Sequence, residues 1–358
     1  MKNVLQIYSD LESKCISLYE KQKVLLNLIL IALLLLVPFI VHGLHAMGGS
    51  FGVNHVLGIL CRMLIYVTLA GSLNAINGYS GQFVLGIIGF FAIGAYTHAI
   101  LGVNYGVSFW INLPLGGIFA AIIGLVVAFP TLKMSGIYLS LVTLGFAEIV
   151  RVVALNWISL TGGPLGIRGV PTPMIFGFAV RTPQHFYYVF LGIAILFTFV
   201  TSRVIKSRIG RAWMSIREDQ LAAQSLAVDN KFYKTLSFMY GAFWAGVIGV
   251  AFASYLRFID STFFTLDEGF NVLSMAIIGG TGTLFGPAVG AILLTFLTEA
   301  LRDFGQWRMV AYALLIIVMM WVRPQGLVGA KDSILAQRSF KPFAKLRQKR
   351  AASRGKSS

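Results

Sequence analysis

From residue 24 onward the chain is a succession of apolar runs. Each is close to the twenty residues a helix needs to cross a bilayer core about 30 Å thick. The runs cover roughly 24–43, 54–76, 81–101, 109–130, 137–157, 184–206, 235–257, 269–283, 287–302 and 307–323. Inside lipid a backbone must satisfy its own N–H and C=O groups, which leaves helices or closed barrels. Runs of this length give an all-α, polytopic integral membrane protein with about ten crossings, or eight on the narrower count. The third, eighth and ninth runs are glycine-rich or short. They read as half-helices or re-entrant pieces, tolerated where protein or a water-filled cavity surrounds them. Composition agrees: 57% of the 358 residues are hydrophobic and 12% charged, half the share of about 25% usual in soluble domains.

The formal net charge of +16 would suggest nucleic acid were it spread over a folded face. Instead it is concentrated in 203–234 and in the last thirty-odd residues, with apolar sequence between. Basic loops of a polytopic protein stay on the cytoplasmic side. Lys133, the 203–234 loop and the tail therefore point inward, and an even number of crossings places both termini in the cytoplasm. The loops 44–53 and 258–268, which lack Lys and Arg, then face out. Arg168 and Arg181 in the outer loop 158–183 depart from that pattern.

The implied organisation is a cytoplasmic leader over 1–23, a transmembrane domain over 24–328 with a cytoplasmic loop at 207–232, and a basic cytoplasmic tail over 329–358. The leader is too polar for a cleavable signal. Ile7, Leu11, Cys15 and Leu18 share one helical face, so it is either a membrane-surface helix or a loose tail. Cys15 and Cys61 fall on different sides of an interface, and no disulfide is expected.

The missing motifs exclude whole classes. There is no phosphate-binding glycine loop ending in Lys-Ser/Thr, no His-Glu-x-x-His, no Gly-x-Ser-x-Gly and no Cys/His cluster. No metal, cofactor or catalytic residue is expected, and the chain reads as a conduit rather than an enzyme. His42, His45, His55, His98 and His185 lie near predicted segment ends. Gly282, Gly286 and Gly290, like Gly241, Ala245 and Gly249, recur every four residues, a spacing that lets helix backbones approach closely. Pro287 after Gly286 predicts a broken helix across 279–287.

Polar groups within spans are the candidates for a translocation path, because a charge at bilayer depth costs at least ~2.5–3.5 kcal/mol. Glu148 and Arg151, three apart on a helix, either satisfy each other as a structural pair or take part in gating. Asn74, Asn77 and Gln82 cluster at a predicted helix break, where uncharged donors could serve a zwitterion. Asn271 is a further candidate. Glu299 and Arg302 fall near an outer interface, and Arg62 has no evident partner in sequence.

The segment 210–227 is the most informative polar stretch. Glu218 and Asp219 suit a helix N-terminus, and Ala222, Ala223 and Leu226 form a small apolar face that could sit in a groove on a partner or remain solvated. Gly210-Arg-Ala with Ile216-Arg-Glu-Asp and Ala222-Ala resembles the cytoplasmic coupling loop of ABC-importer permeases of the branched-chain amino acid type. Four further motifs follow the same family in order. They are Asn77-Gly-Tyr-Ser-Gly-Gln82 with Phe90-Phe-Ala-Ile-Gly-Ala-Tyr-Thr97; Thr143-Leu-Gly-Phe-Ala-Glu-Ile-Val-Arg151 with Leu160-Thr-Gly-Gly-Pro-Leu-Gly-Ile-Arg-Gly-Val-Pro171; Ile278-Gly-Gly-Thr-Gly-Thr-Leu-Phe-Gly-Pro287; and Arg323-Pro-Gln-Gly-Leu327.

The resemblance is to the longer of that family's two permease subunits. It implies a chain in the bacterial cytoplasmic membrane that works with a second permease, two cytoplasmic ATPase subunits and an extracytoplasmic solute-binding protein. Gly210, Arg211, Arg217, Glu218, Asp219, Ala222 and Ala223 are then the residues of ATPase coupling. One departure stands out: Val84-Leu-Gly-Ile87 replaces the family's usual Ser-Leu-Gly-His, removing a hydroxyl and an imidazole. Branched-chain or other neutral amino acids are the expected cargo. Urea, short amides or a sugar are the alternatives within the class, and an ion-coupled secondary transporter is the alternative outside it.

Overall fold

The structure is a computed structural model that describes residues 34–43, 52–132, 134, 136–175, 178–301, 313–314, 317 and 326–328. Contacts divide the chain into two units, Met1–Gly58 and Ile59–Ser358. The first unit contains the short apolar helix α1 (Leu34–Gly43). Apart from the first residues of the next helix, everything below concerns the second.

Six helices among the described residues are long and apolar enough to cross a membrane. Helix α2 (Val53–Asn74) continues into a single π-helical turn at Ala75–Tyr79. Then follow α3 (Ile87–Tyr105), α4 (Phe109–Thr131), α5 (Ile137–Asn156) and α6 (Pro183–Lys206). The polar loop after α6 folds as two short helices, α7 (Arg208–Glu218) and α8 (Gln220–Ser225), before the sixth span, α9 (Asn230–Leu256). Helices α10 (Leu266–Gly279) and α11 (Gly286–Ala300) have only 14 and 15 residues.

The eighth and ninth predicted runs are therefore short helices joined by a tight glycine-rich loop, as the break predicted at 279–287 requires. The third run starts later than its apolar composition suggests: α3 begins at Ile87, and 80–86 is a non-helical return. The leader, the tail, 24–33 and all of the run 307–323 except 313, 314 and 317 lie outside the described residues.

Helix boundaries have local causes. Ser207 accepts from the Ile209 N–H to start α7, Asp219 accepts from Leu221 and Ala222 to start α8, and Asp229 accepts from Lys231 and Phe232 to start α9. These side-chain oxygens satisfy orphan first-turn donors.

Helix α9 is the centre of the unit and the most buried span (72%), whereas α5 is the least buried (28%). It packs against α3 and α4 where three glycines meet. A Cβ on Gly246 would lie 2.5 Å from the Gly116 carbonyl oxygen and 2.6 Å from the Ala120 Cβ, and one on Gly94 would run into the Gly246 backbone. In lipid, helices gain little from the hydrophobic effect and associate through close backbone approach. The four-residue glycine periods fit this: Gly241 faces Ile76 and Ser72, Gly249 faces Phe91 and Ala95, and Gly290 meets Met275 and Gly279.

The connections sort into two ends. At one, α7 meets the loops 80–86 and 280–285 through Arg217 and packs against α8; this is the basic end. At the opposite end, strand β1 (Ile167–Arg168) pairs antiparallel with β4 (Phe258–Ile259), with Ile167 opposite Ile259. Strands β2 (Met174–Ile175) and β3 (Phe178–Ala179) form a second small pair. His98, fully buried, lies near that end: Asn112 Nδ2 is 3.0 Å from its Nδ1, and its Nε2 lies 2.7 Å from Ser254 Oγ and 3.2 Å from the Pro171 carbonyl. Of the five histidines expected near segment ends, this one is an internal tie between the β1–β2 loop and three spans.

Candidate coupling joint

The π turn is the first component of the joint. A π turn carries one residue more per turn than the α-helix around it and is frequent at functional sites. The turn keeps its shape through Asn74, 2% exposed. Its Oδ1 accepts from the Gly282 N–H at 2.8 Å, and its Nδ2 donates to the Thr283 carbonyl at 2.9 Å. One side chain thus ties the end of α2 to the loop between α10 and α11. That loop needs glycine: Gly280 and Gly282 have φ of +114° and +82°, a region that other L-residues enter only at a cost.

Asn77 closes the return that follows. Its Nδ2 donates to the Val84 carbonyl and its Oδ1 accepts from the Val84 N–H, both at 3.0 Å. Gln82 then reaches α9. Its Nε2 donates to Ser237 Oγ at 2.7 Å, to Ser80 Oγ at 2.6 Å and to the Lys234 carbonyl at 3.2 Å. The Leu85 N–H donates to Thr143 Oγ1 at 3.1 Å, adding α5. Val84 and Ile87, where the family pattern has a hydroxyl and an imidazole, are both fully buried.

The basic helices meet this assembly through Arg217. Its Nη1 donates to the Gly78 carbonyl at 2.5 Å, inside the π turn. The same guanidinium occupies the space a Gly282 side chain would fill, and a Gly81 Cβ would lie 3.1 Å from the Arg217 Cα. Glycine at 81 and 282 therefore admits the arginine, and glycine at 78 admits the Asn74 amide. Gly326 packs on Gly280, and the Leu327 and Val328 N–H groups donate to Ile278 and Gly279 at 2.9 and 3.1 Å. Segments far apart in sequence, at 74–85, 143, 217, 278–283 and 326–328, converge on one point.

The remaining loop residues support α7 and α8. Gly210 is buried, and a Cβ there would strike the Ile205 backbone. Arg211 Nη1 donates to the Lys206 carbonyl at 3.0 Å, and Trp213, fully buried, donates to the Tyr233 carbonyl at 2.8 Å. Glu218 is the last residue of α7, so only Asp219 occupies the N-terminal position foreseen for both acids. Ala223 is buried, while Ala222 is exposed beside Leu221 and Leu226, 77% and 79% exposed.

Three predicted path residues lie away from the joint. Arg151 donates to Glu148 on the same helix, and both side chains are about a third exposed on α5. Asn271 is half-buried on α10. Arg62 has a partner after all: its Nη2 lies 3.3 Å from Glu299 Oε2 on α11.

The family profile described as branched-chain amino acid transport system / permease component matches residues 55–322. The high-affinity branched-chain amino acid transport system permease protein LivM of Escherichia coli K12 is 39% identical over 288 residues, 74% of this chain and 68% of that one. Its Salmonella typhimurium counterpart is 38% identical over 293 residues, 75% and 69% of the two chains. The permease protein LivH of the same-named Escherichia coli system is 27% identical over 192 residues, 49% and 60%. No solved structure matches the chain.

Proposed function

This chain belongs to the family of branched-chain amino acid transport system permease components, and from that premise we propose that it is the longer permease subunit of an ABC importer. It takes up branched-chain or other neutral amino acids through the bacterial cytoplasmic membrane. It works beside a second permease chain, two cytoplasmic ATPase subunits and an extracytoplasmic solute-binding protein. The similarity to both LivM and LivH, two permease proteins of one named system, supports a partner of related fold. The basic end faces the cytoplasm, in keeping with the bias of Lys and Arg toward that side.

The observation that carries the coupling assignment is the Arg217–Gly78 hydrogen bond. It connects a polar helix outside the spans to a π turn inside one. Closure of the ATPases moves α7 and α8, which present Leu221, Ala222 and Leu226 outward. Arg217 transmits that motion to the π turn, and Asn74 passes it to the α10–α11 loop. Asn77 and Gln82 hold the return beside α9, so the break moves as a unit. Glu148, Arg151 and Asn271 line the path along α5 and α10, and the Glu148–Arg151 pair keeps the charges matched at membrane depth.

The test is ATP-driven uptake by the reconstituted complex carrying Arg217→Glu with Glu218→Lys. Uptake should fall while the subunits still co-purify. Wild-type uptake and ATPase association in that variant would refute the coupling role. Ligand screening on the co-purified binding protein reads the cargo, with urea, amides and sugars as the competing outcomes. Transport by this chain without ATPases would identify a secondary transporter instead.

A further inference from the structure

Helices α6, α7 and α9 enclose an open apolar groove of about 250 Å³, lined among others by Ile209, Trp213, Met239, Tyr240 and Phe243. Its two polar linings are already engaged. The Tyr240 and Thr201 hydroxyls are hydrogen-bonded to each other at 2.6 Å, and Trp213 Nε1 donates to the Tyr233 carbonyl. The surface on offer is therefore carbon. The volume falls below the ~300 Å³ at which pockets begin to hold a compact drug-sized ligand, so a slim chain suits it better.

The rim is cationic. Arg203, Lys206, Arg208 and Arg211 are exposed along the junction of α6 and α7, and no acid occurs between residues 199 and 217. Arg203 lies 5.3 Å above the Phe199 ring, which holds its charge against an apolar surface. Among the described residues, neither Lys206 nor Arg208 makes a side-chain hydrogen bond or salt bridge. On α9, Lys231 is exposed, while Lys234 Nζ donates to Gln220 Oε1 at 2.7 Å. The acid there, Asp229, is engaged in capping α9. Span α6 ends at Lys206 and span α9 begins at Asn230, so slot and cations lie where the apolar spans give way to polar loop.

We infer that this groove holds one anionic phospholipid, with an acyl chain against Trp213 and Met239 and its phosphate among Arg203, Lys206 and Arg208. The chemistry favours this occupant over the chain's own ends. The leader and the tail are themselves net positive and would be repelled by the rim. The inference rests on the chain's residence in a membrane, and on neither its cargo nor its ATPase coupling.

The experiment is native mass spectrometry of the full-length protein in mild detergent, offered phosphatidylglycerol or phosphatidylethanolamine. Phosphatidylglycerol should be retained preferentially, and each rim base replaced in Arg203→Gln, Lys206→Gln and Arg208→Gln should lower retention about fivefold. Met239→Trp, which fills the slot and leaves the rim intact, should lower it too. The variant Arg203→Lys with Arg208→Lys should retain the lipid, separating charge loss from misfolding. Glycerol 3-phosphate should not compete. Equal retention of the two lipids would overturn the inference. So would a Met239→Trp variant that binds normally, which would mean surface adsorption, or full displacement by glycerol phosphate, which would mean an anion site alone. Displacement of the lipid by co-purified ATPase would identify a protein-binding surface and overturn it as well.

Discussion

Replacing Asn74 by leucine keeps a side chain of similar size while deleting both of its hydrogen bonds. The Gly282 N–H and the Thr283 carbonyl, now 2.8 and 2.9 Å from the amide, would be left facing carbon at a site 2% exposed. Each unsatisfied buried group costs about 1–3 kcal/mol, so the tie between α2 and the α10–α11 loop weakens by about 2–6 kcal/mol. At 1.4 kcal/mol per decade, even the lower figure changes the population of the tied state more than tenfold. The α3–α4–α9 packing is untouched, so membrane insertion and subunit assembly should survive. The assay compares amino acid uptake with ATP hydrolysis in proteoliposomes of the assembled importer. Hydrolysis should continue while uptake per ATP falls at least tenfold. Wild-type uptake per ATP in the leucine variant would refute the reasoning, because a joint that transmits motion cannot lose its side-chain tie at Asn74 without consequence. Asn74→Ala, which deletes the same bonds and also leaves space, should be at least as severe.

Other expectations follow from separate parts of the structure. Gly246→Val forces a side chain onto the Gly116 carbonyl and should destabilise the bundle by about 1–3 kcal/mol or more, read as a lower melting temperature in detergent. Glu148→Gln alone leaves Arg151 unpaired and should reduce insertion by the ~2.5–3.5 kcal/mol of an isolated membrane charge. The double change Glu148→Gln with Arg151→Gln should restore insertion in a glycosylation-reporter assay; uptake that stays lost there marks the pair as part of the path, and recovered uptake marks it as structural. Asp219→Ala removes the cap of α8, a loss of about 1 kcal/mol, and should weaken ATPase co-purification without lowering the melting temperature of the bundle. His98→Leu leaves the Pro171 carbonyl to Ser254 alone, and faster hydrogen exchange at 163–172 should report the weakened tie.

Sequence showed most clearly what chemistry punctuates. Gly279 to Pro287 breaks the helix because glycine and proline leave no alternative, and the glycine periods in α9 and α11 mark close backbone approaches. The π turn was less legible. Ala75-Ile-Asn-Gly-Tyr79 reads as the continuation of an apolar span, and only a bond to Gly282, more than two hundred residues away, reveals its geometry. Arg62 looked unpartnered for the same reason, its Glu299 being 237 positions distant. The candidate residues Asn74, Asn77 and Gln82 were found by their polarity. In the structure their amides bind backbone and serine hydroxyls, so polarity in a span here marks what holds a break together. Arg217 was expected to serve ATPase coupling, and its guanidinium turns inward, because glycines at 81 and 282 leave room that composition alone does not disclose. Ser80, Thr143 and Thr283 lie in the family-like motifs with no sign there of what they bind, and Ser237 carried no signal beyond being small and polar.

Helix α9 has one further consequence. Its 27 residues amount to a rod about 40 Å long. Near one end Ser237 holds Gln82 of the return, and near the other Ser254 holds His98 and the Pro171 carbonyl. A stiff rod gripped at both ends acts as a pushrod: displacement at one grip appears at the other at the same moment and with the same amplitude. The two faces of the protein can then keep time with each other, and the stroke is limited by the glycine contacts that seat α9 against α3 and α4 between the two grips.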